Sequence, residues 1–336
     1  MVSVVIAAKN EENNIDQRLT NLLEIEYPAH LFEIIVVSDG SEDDTNQLVS
    51  QYTDIHKNIK LISYSLSKGK PFALNRGIQD AKGEIIVFAD SRQRFHNRAV
   101  AELAANFNDP DVGCVSGELI FYENHDSNIQ KEMGAYWHYE KMIRKMESRS
   151  GSVAGATGAI YAVRKTLYKN IPEETILDDV LTPMNIVMQG YRCVFDPAAL
   201  AYDTVSKDMD SEMTRKIRTL AGNWQLLKIE PGLIFPFKNK FWWGFLSHKI
   251  FRLIVPFLLI YLFIVNFLLT TPIYIFTLAV QILFYGFAFF AWINPSVRKI
   301  RAINLIYFFV NLNYAALVGT WYFFSGNTSK IWKKLI

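Results

Sequence analysis

Two adjacent acids, Asp178-Asp179, open a stretch that continues Val180-Leu181-Thr182-Pro183 and reads as the start of a helix. One acid of the pair suffices to cap a helix and to favour its positive end. The second is left over, and a carboxylate beside a leaving diphosphate can take the proton of an attacking hydroxyl. Farther upstream, Asp39 in Asp39-Gly40-Ser41 follows an apolar run and can accept hydrogen bonds from a nucleobase edge. Glu11, in Ala8-Lys9-Asn10-Glu11, can orient its loop or a ribose. Lys70 can neutralise a phosphate, and Asp90 can hold a divalent cation on a diphosphate, because Mg2+ binds through one or two carboxylates together with phosphate oxygens and water. Taken singly these are weak signals: Asp-Gly-Ser is a common turn, and a lone Lys is usually a solvated charge. Their order, and the common edge they would occupy, give them meaning.

That edge follows from the elements around them. From Val2 to Asp90, short apolar runs at Val2–Ala7, Phe32–Val37, Ile59–Tyr64 and Glu84–Phe88 alternate with amphipathic segments. Strand and helix in alternation predict a parallel sheet covered on both faces, whose ligands bind at the carboxyl ends of the strands. Beyond Asp90 the pattern predicts a helix at Asn97–Asn106, a strand at Val112–Leu119 and a long helix at Gln130–Glu147. A small-residue loop at Gly151–Gly158 leads to a strand at Ala159–Val163, and a helix from Asp178, a strand at Tyr191–Phe195 and a helix at Glu212–Leu227 follow. Cys114 and Cys193 fall in apolar strand-like runs without partners at metal-ligand spacing, as reduced core thiols do.

Charge divides the chain. All 33 Asp and Glu lie at or before Glu230, whereas the ten Lys and Arg beyond it have no acid among them. Those cations cluster at Lys238, Lys240, Lys249 and Arg252, at Arg298, Lys299 and Arg301, and at Lys330, Lys333 and Lys334, flanking apolar stretches at Leu253–Thr271, Ile273–Ile293 and Ile303–Phe324. Cations bracketing spans of that length belong at lipid headgroups, and they lack the continuous basic face that nucleic acid requires. Phe241-Trp242-Trp243-Gly244-Phe245 reads as a helix lying in the membrane interface. The expected domains are 1–230, a catalytic domain that binds a nucleoside diphosphate; 231–252, an interfacial helix and linker; and 253–336, membrane helices with a basic tail.

The chain enters an apolar strand at once, without a charged leader and cleavage site, which places the expected catalytic domain on the cytosolic face. If the first stretch goes out and the second returns, Arg298, Lys299 and Arg301 face the cytosol. A third full span would then put Lys330, Lys333 and Lys334 outside, against the positive-inside tendency. Asn304, Asn311 and Asn313 in that stretch favour a bent or re-entrant course packed on protein.

Ile6-Ala7-Ala8-Lys9-Asn10-Glu11-Glu12, Val36-Val37-Ser38-Asp39-Gly40-Ser41, Gly69-Lys70-Pro71-Phe72-Ala73-Leu74-Asn75, Asp90, Gly155-Ala156-Thr157-Gly158-Ala159 and Asp178-Asp179 occur in the order found in family 2 glycosyltransferases, which residues 2–228 resemble. The resemblance implies an α/β GT-A fold, Rossmann-like with a mostly parallel sheet, followed here by an α-helical membrane region. It also implies an inverting mechanism and a nucleotide-sugar donor, usually a UDP-sugar. By that resemblance Ala8, Glu11 and Asp39 contact the nucleoside, Lys70 the diphosphate and Asp90 the metal, and Asp179 of the Asp178-Asp179 pair is the catalytic base.

Two departures bear on function. The family's Asp-x-Asp appears as Asp90-Ser91-Arg92, so Mg2+ or Mn2+ is expected on one carboxylate, with Arg92 available to the diphosphate. Where polysaccharide synthases of the family carry Gln-x-x-Arg-Trp, Arg218 matches the Arg, but Thr219 replaces the Trp and Trp224 comes later. The expected function is transfer of a hexose to a lipid-linked or polysaccharide acceptor at the membrane, with no nucleic-acid partner. Competing readings are a processive polysaccharide synthase and a catalytically silent, membrane-tethered subunit that binds nucleotide-sugar.

Overall fold

The computed structural model describes residues 1–122, 140–204 and 209–326. Its contacts divide the described residues into two compact units: 1–122, 140–204 and 232–244 form the first, and 209–231 and 245–326 the second.

The first unit is built on a mixed, 8-stranded sheet. Strands β1 (Val2–Ala8), β2 (Phe32–Asp39), β3 (Ile59–Tyr64) and β4 (Ile85–Ala89) are parallel neighbours in the order β3-β2-β1-β4. Helices α1 (Ile15–Leu23), α2 (Thr45–Ile55) and α3 (Lys70–Asp80) connect them. In β1, Val2, Val4, Val5 and Ile6 are wholly buried, so side chains on both faces are covered, as in a central parallel strand. Gly77 on α3 lies so close to Val5 and Val37 that a Cβ there would come within 2.6 Å of Val5, which lets the helix settle on the sheet.

The remaining strands are β5 (Arg94–Phe95), β6 (Val112–Tyr122), β7 (Ile160–Arg164) and β8 (Arg192–Thr204), with α4 (Ala99–Ala105), α5 (residues 140–150) and α6 (Asp178–Met188) between them. β7 runs antiparallel between β4 and β6, β8 pairs parallel with β6, and β5 closes the edge antiparallel to β8. The sheet is therefore parallel in its first half and mixed in its second. Of the helix expected at Gln130–Glu147, residues 130–139 lie outside the described residues, and 140–147 are helical. Cys114 and Cys193 are buried and free, and they are register partners on β6 and β8.

The second unit is helical: α7 (Met209–Ile229), α9 (Phe251–Leu268), α10 (Pro272–Ile293) and α11 (Arg301–Phe324); the short α8 (Trp242–Phe245), whose first three residues belong to the first unit, leads through a π-helical turn at Leu246–Ile250 into α9. Trp242–Leu268, Pro272–Ile293 and Arg301–Phe324 are each long and apolar enough to cross a membrane. Phe257, Leu258, Leu262, Phe276, Leu283 and Phe289 are exposed on α9 and α10, a distribution that suits lipid and not water. Within this surface Asn266 is buried and donates from Nδ2 to Gln281 Oε1 at 2.9 Å, joining α9 to α10. Lys330, Lys333 and Lys334 lie outside the described residues.

Candidate active site

The strand order reverses at β1, which continues through α1 to β2 on one side and has β4 on the other. Crevices form at the carboxyl ends of strands where such a reversal occurs. Ala8 ends β1, Asp39 ends β2 and Asp90 follows β4, so three of the candidate positions share that edge.

Loops at the edge hold one another. Asn10 N–H donates to Ser41 Oγ, Glu42 N–H to Asn10 Oδ1, Glu11 N–H to Thr45 Oγ1 and Glu12 N–H to Asp43 Oδ2, which stitches the β1 loop to the β2 loop. Asn10 pays for its place with a left-handed backbone, φ 54°. The Asp39 carboxylate is buried and accepts hydrogen bonds from Lys68 N–H (2.7 Å), Ser67 Oγ (2.7 Å) and Gly69 N–H (2.9 Å). Burial alone would raise its pKa, but these donors, led by the Lys68 amide, hold it below the usual carboxylate range. Gly40 has φ +64°, and a Cβ there would lie 2.6 Å from Ser67 N, so the Asp-Gly turn and the 67–69 segment fit together only with glycine. Glu11 accepts from Asn14 Nδ2 at 2.7 Å. Burial raises its pKa, the Asn14 bond opposes that, and the Asp90 charge adds to it.

Lys70 is the first residue of α3, behind the Gly69 cap. A cation at a helix N-terminus is unfavourable unless acids answer it. Here Asp90 Oδ1 lies 2.9 Å from Lys70 Nζ and Asp178 Oδ2 lies 3.6 Å from it. Burial would lower the lysine's pKa, but the charges of Asp178 and then Asp90 carry it well above the ordinary range, so the ammonium is permanently charged. The structure thus gathers Lys70, Asp90 and Asp178, which the sequence separates widely.

Asp178 and Asp179 begin α6 and differ in surroundings. Asp178 is buried against Lys70, whereas Asp179 is partly exposed. The small-residue loop lies on Asp179: Ala156 N–H donates to its carbonyl at 2.8 Å, and a Cβ on Gly158 would come 2.9 Å from its Oδ2. Tyr161 on β7 stacks on Phe88 of β4, with centroids 4.3 Å apart and planes 7° apart. Asn75 on α3 accepts from Tyr168 Oη and Ile171 N–H and donates to the Ile171 carbonyl, so this motif residue anchors the segment before α6.

Arg92 pairs with buried Asp203 at 2.5 Å, and Gln93 Nε2 donates to the same carboxylate oxygen. Arg218 lies on α7 in the second unit. Among the described residues no group of three or more His, Cys, Asp or Glu gathers to hold a metal ion.

Two charged residues near the site escaped the sequence reading. Asp203 lies near the end of β8, outside any motif. Arg18 is wholly buried in α1, stacks over Phe95 at 4.1 Å, and donates to the Gln93 carbonyl and to Asn21 Oδ1. Burial pushes its guanidinium down to about 9, with the Asp90 charge acting in the opposite sense, so it stays cationic at neutral pH. Its signal was legible: an Arg within the apolar stripe Ile15, Leu19, Leu22 of an amphipathic helix.

Residues 3–171, half of the chain, match the profile described as Glycosyl transferase family 2. The poly-beta-1,6-N-acetyl-D-glucosamine synthase of Staphylococcus epidermidis is 24% identical over 231 residues, covering 67% of this chain and 55% of that protein. The chain thus spans about half the length of the relatives it matches. Among solved structures, mannosyltransferase PcManGT from Pyrobaculum calidifontis, in complex with GDP-Man and Mn2+, is similar with a TM-score of 0.73 at 20% identity, covering 96% of this chain and 86% of that one. S. aureus TarS gives a TM-score of 0.51 at 19% identity, over 75% and 45% of the two chains.

Proposed function

The chain belongs to glycosyl transferase family 2 and has the GT-A fold, and on that premise we propose that it transfers a hexose, with inversion, from a nucleotide-sugar to a lipid-linked or polysaccharide acceptor at the cytosolic face of a membrane. The observation that carries this reading is the convergence of Lys70, Asp90 and Asp178 in one cluster, with Asp179 next in sequence under the Gly158 loop.

In this reading the nucleoside sits along Ala8, Glu11 and Asp39. Asp39 acts there chiefly by holding the 67–69 segment, which presents Lys70 and the N-terminus of α3 to the diphosphate. The acceptor hydroxyl oxygen attacks the anomeric carbon, the bond from that carbon to the diphosphate breaks, and the hydroxyl proton passes to the Asp179 carboxylate. Asp178 keeps the Lys70 ammonium in place, and Lys70 answers the charge that builds on the leaving diphosphate.

Asp90 suits a Mg2+ or Mn2+ that arrives with the diphosphate, because one carboxylate with phosphate oxygens and water is a common set for such cations. When bound, the cation would add positive charge beside the leaving group. Arg92 contributes less, because Asp203 answers its charge. The similarity to a poly-beta-1,6-N-acetyl-D-glucosamine synthase and to a mannosyltransferase in complex with GDP-Man supports a nucleotide-sugar donor, and the apolar helices support an acceptor met at the bilayer. Sharing a surface with the acceptor raises its effective concentration.

The test is Asp179→Asn in membranes supplied with a panel of UDP- and GDP-sugars. Nucleotide release is expected to fall by about 100-fold or more, while the affinity for the free nucleoside diphosphate stays within a few-fold. Turnover that survives the substitution would remove Asp179 from the base role.

A further inference from the structure

We infer that α11, although long and apolar enough to span, lies along the membrane surface on the same face as α7, so that only α9 and α10 cross. The inference rests on the reading of α9 and α10 as a membrane hairpin, and it concerns a lipid surface as the partner of α11.

Packing between α7 and α11 is close and extended. Lys216 Nζ lies 4.6 Å over the Phe308 ring, and Trp224 Nε1 donates to Thr320 Oγ1 at 2.9 Å. The rings of Trp224 and Phe324 stand 5.5 Å apart. Between these contacts the backbones nearly touch: a Cβ on Gly319 would lie 3.0 Å from the Ile217 carbonyl oxygen and 3.1 Å from Ala221 N. Gly319 and Thr320 are buried in this contact, and Ala315 and Ala316 on the same helix are buried as well. The two helices run in the same direction, since contacts advance together from Lys216 with Phe308 to Trp224 with Phe324.

α7 does not belong in hydrocarbon. It carries Glu212, Arg215, Lys216, Arg218 and Lys228, and each such charge at the centre of a bilayer is costly even on the lenient insertion scale. Only residues 205–208 separate it from β8, too few to cross a core about 30 Å thick. α7 therefore stays at one face of the membrane. Two crossings, α9 outward and α10 back, return the Pro295–Lys299 turn to that face, with Arg298 and Lys299 in it. α11 starts there at Arg301. If it crossed, Thr320 would stand about 28 Å up the helix at 1.5 Å per residue, at the far surface. Its partner Trp224 would have to follow, dragging Lys216 and Arg218 through the core. Both ends of α11 consequently face the same side.

The surface of α11 agrees. Tyr314, Trp321 and Phe324 are exposed, and Tyr and Trp are the side chains that settle at the headgroup boundary.

Single cysteines at Thr271, Ser296 and Ser325, probed with a membrane-impermeant maleimide on intact cells and again after the membrane is opened, test the course. The native Cys114 and Cys193, both buried, set the background. Thr271→Cys is expected to react in intact cells, and Ser296→Cys and Ser325→Cys only after opening. Ser325→Cys reacting in intact cells would overturn the inference, as would a Thr271→Cys that needs opening, since the hairpin would then not cross. Should Ser325→Cys react in neither state, fusions after Ile336 decide: a fluorescent protein that lights without phosphatase activity in the matching phosphatase fusion supports the surface course, and an active phosphatase refutes it. Sugar transfer by the same membranes is read separately and stands or falls independently of these labels.

Discussion

Asp39 shows how a residue in a binding motif can act through the loop it holds. Its carboxylate takes hydrogen bonds from Ser67, Lys68 and Gly69, and those donors keep it ionised. An Asn in its place has one acceptor oxygen for several donors and turns an NH2 toward N–H groups. The Asp39→Asn protein is expected to lose about 1 to 3 kcal/mol, seen as a lower melting temperature in detergent. The pH dependence has a definite sign. A carboxylate whose folded pKa is depressed contributes stability above its unfolded value of about 3.9, and that contribution is lost as pH falls through the folded value. The native protein should therefore lose stability more steeply than the variant below about pH 4, and parallel melting curves there would contradict the assignment. At this scale the sequence was informative where type and spacing carried chemistry: Lys70, Asp90 and Asp178 were each chosen from their motifs, and the fold brings them within ion-pair reach. It was silent on Asp203, because an acid near the end of a strand carries no signature until its partner, Arg92, is known to lie against it.

Among the elements, β1 to β4 were legible because buried parallel strands appear as apolar runs, and the α3 motif supplied its own start in Gly69-Lys70-Pro71. The antiparallel insertion of β7 between β4 and β6 was not, since local pattern says nothing of which distant strand becomes a neighbour. That insertion delivers the small-residue loop to Asp179. Thr157 fixes the loop to β6, its N–H donating to Ser116 Oγ at 2.9 Å and its hydroxyl to the Gly117 carbonyl at 2.9 Å. Gly158 then lies against the Asp179 carboxylate with no room for a methyl group. A Gly158→Ala change is expected to push that carboxylate off its position and cut kcat by about 10-fold or more, since misplacement of about 1 Å can cost 100-fold. The melting temperature should move little, because the obstructed atoms belong to one partly exposed side chain. Unchanged kcat would mean that Asp179 need not stay where the loop holds it.

The molecule as a whole is an α/β unit and a helical unit, and the last acid of the chain, Glu230, directly follows the charged helix α7. What charge counting could not reveal is that α7, the last helix rich in charge, belongs by its contacts to the helical unit and packs on α11. Two glycines separate this packing from general effects of helix substitution. At Gly319 a side chain would press on the Ile217 carbonyl and the Ala221 amide of α7, backbone atoms that cannot swing aside. At Gly286 on α10 nothing lies within 4 Å of a built Cβ. Gly319→Val should therefore force α7 from α11 and cost about 1 to 3 kcal/mol, the usual penalty of overpacking. Gly286→Val should stay within about 0.5 kcal/mol, as is usual at surface sites away from special features. Melting temperatures of both variants in the same detergent make the comparison. Equal shifts would show that α7 and α11 do not bear on one another, and the argument that α7 keeps α11 at the membrane surface would then lose its footing.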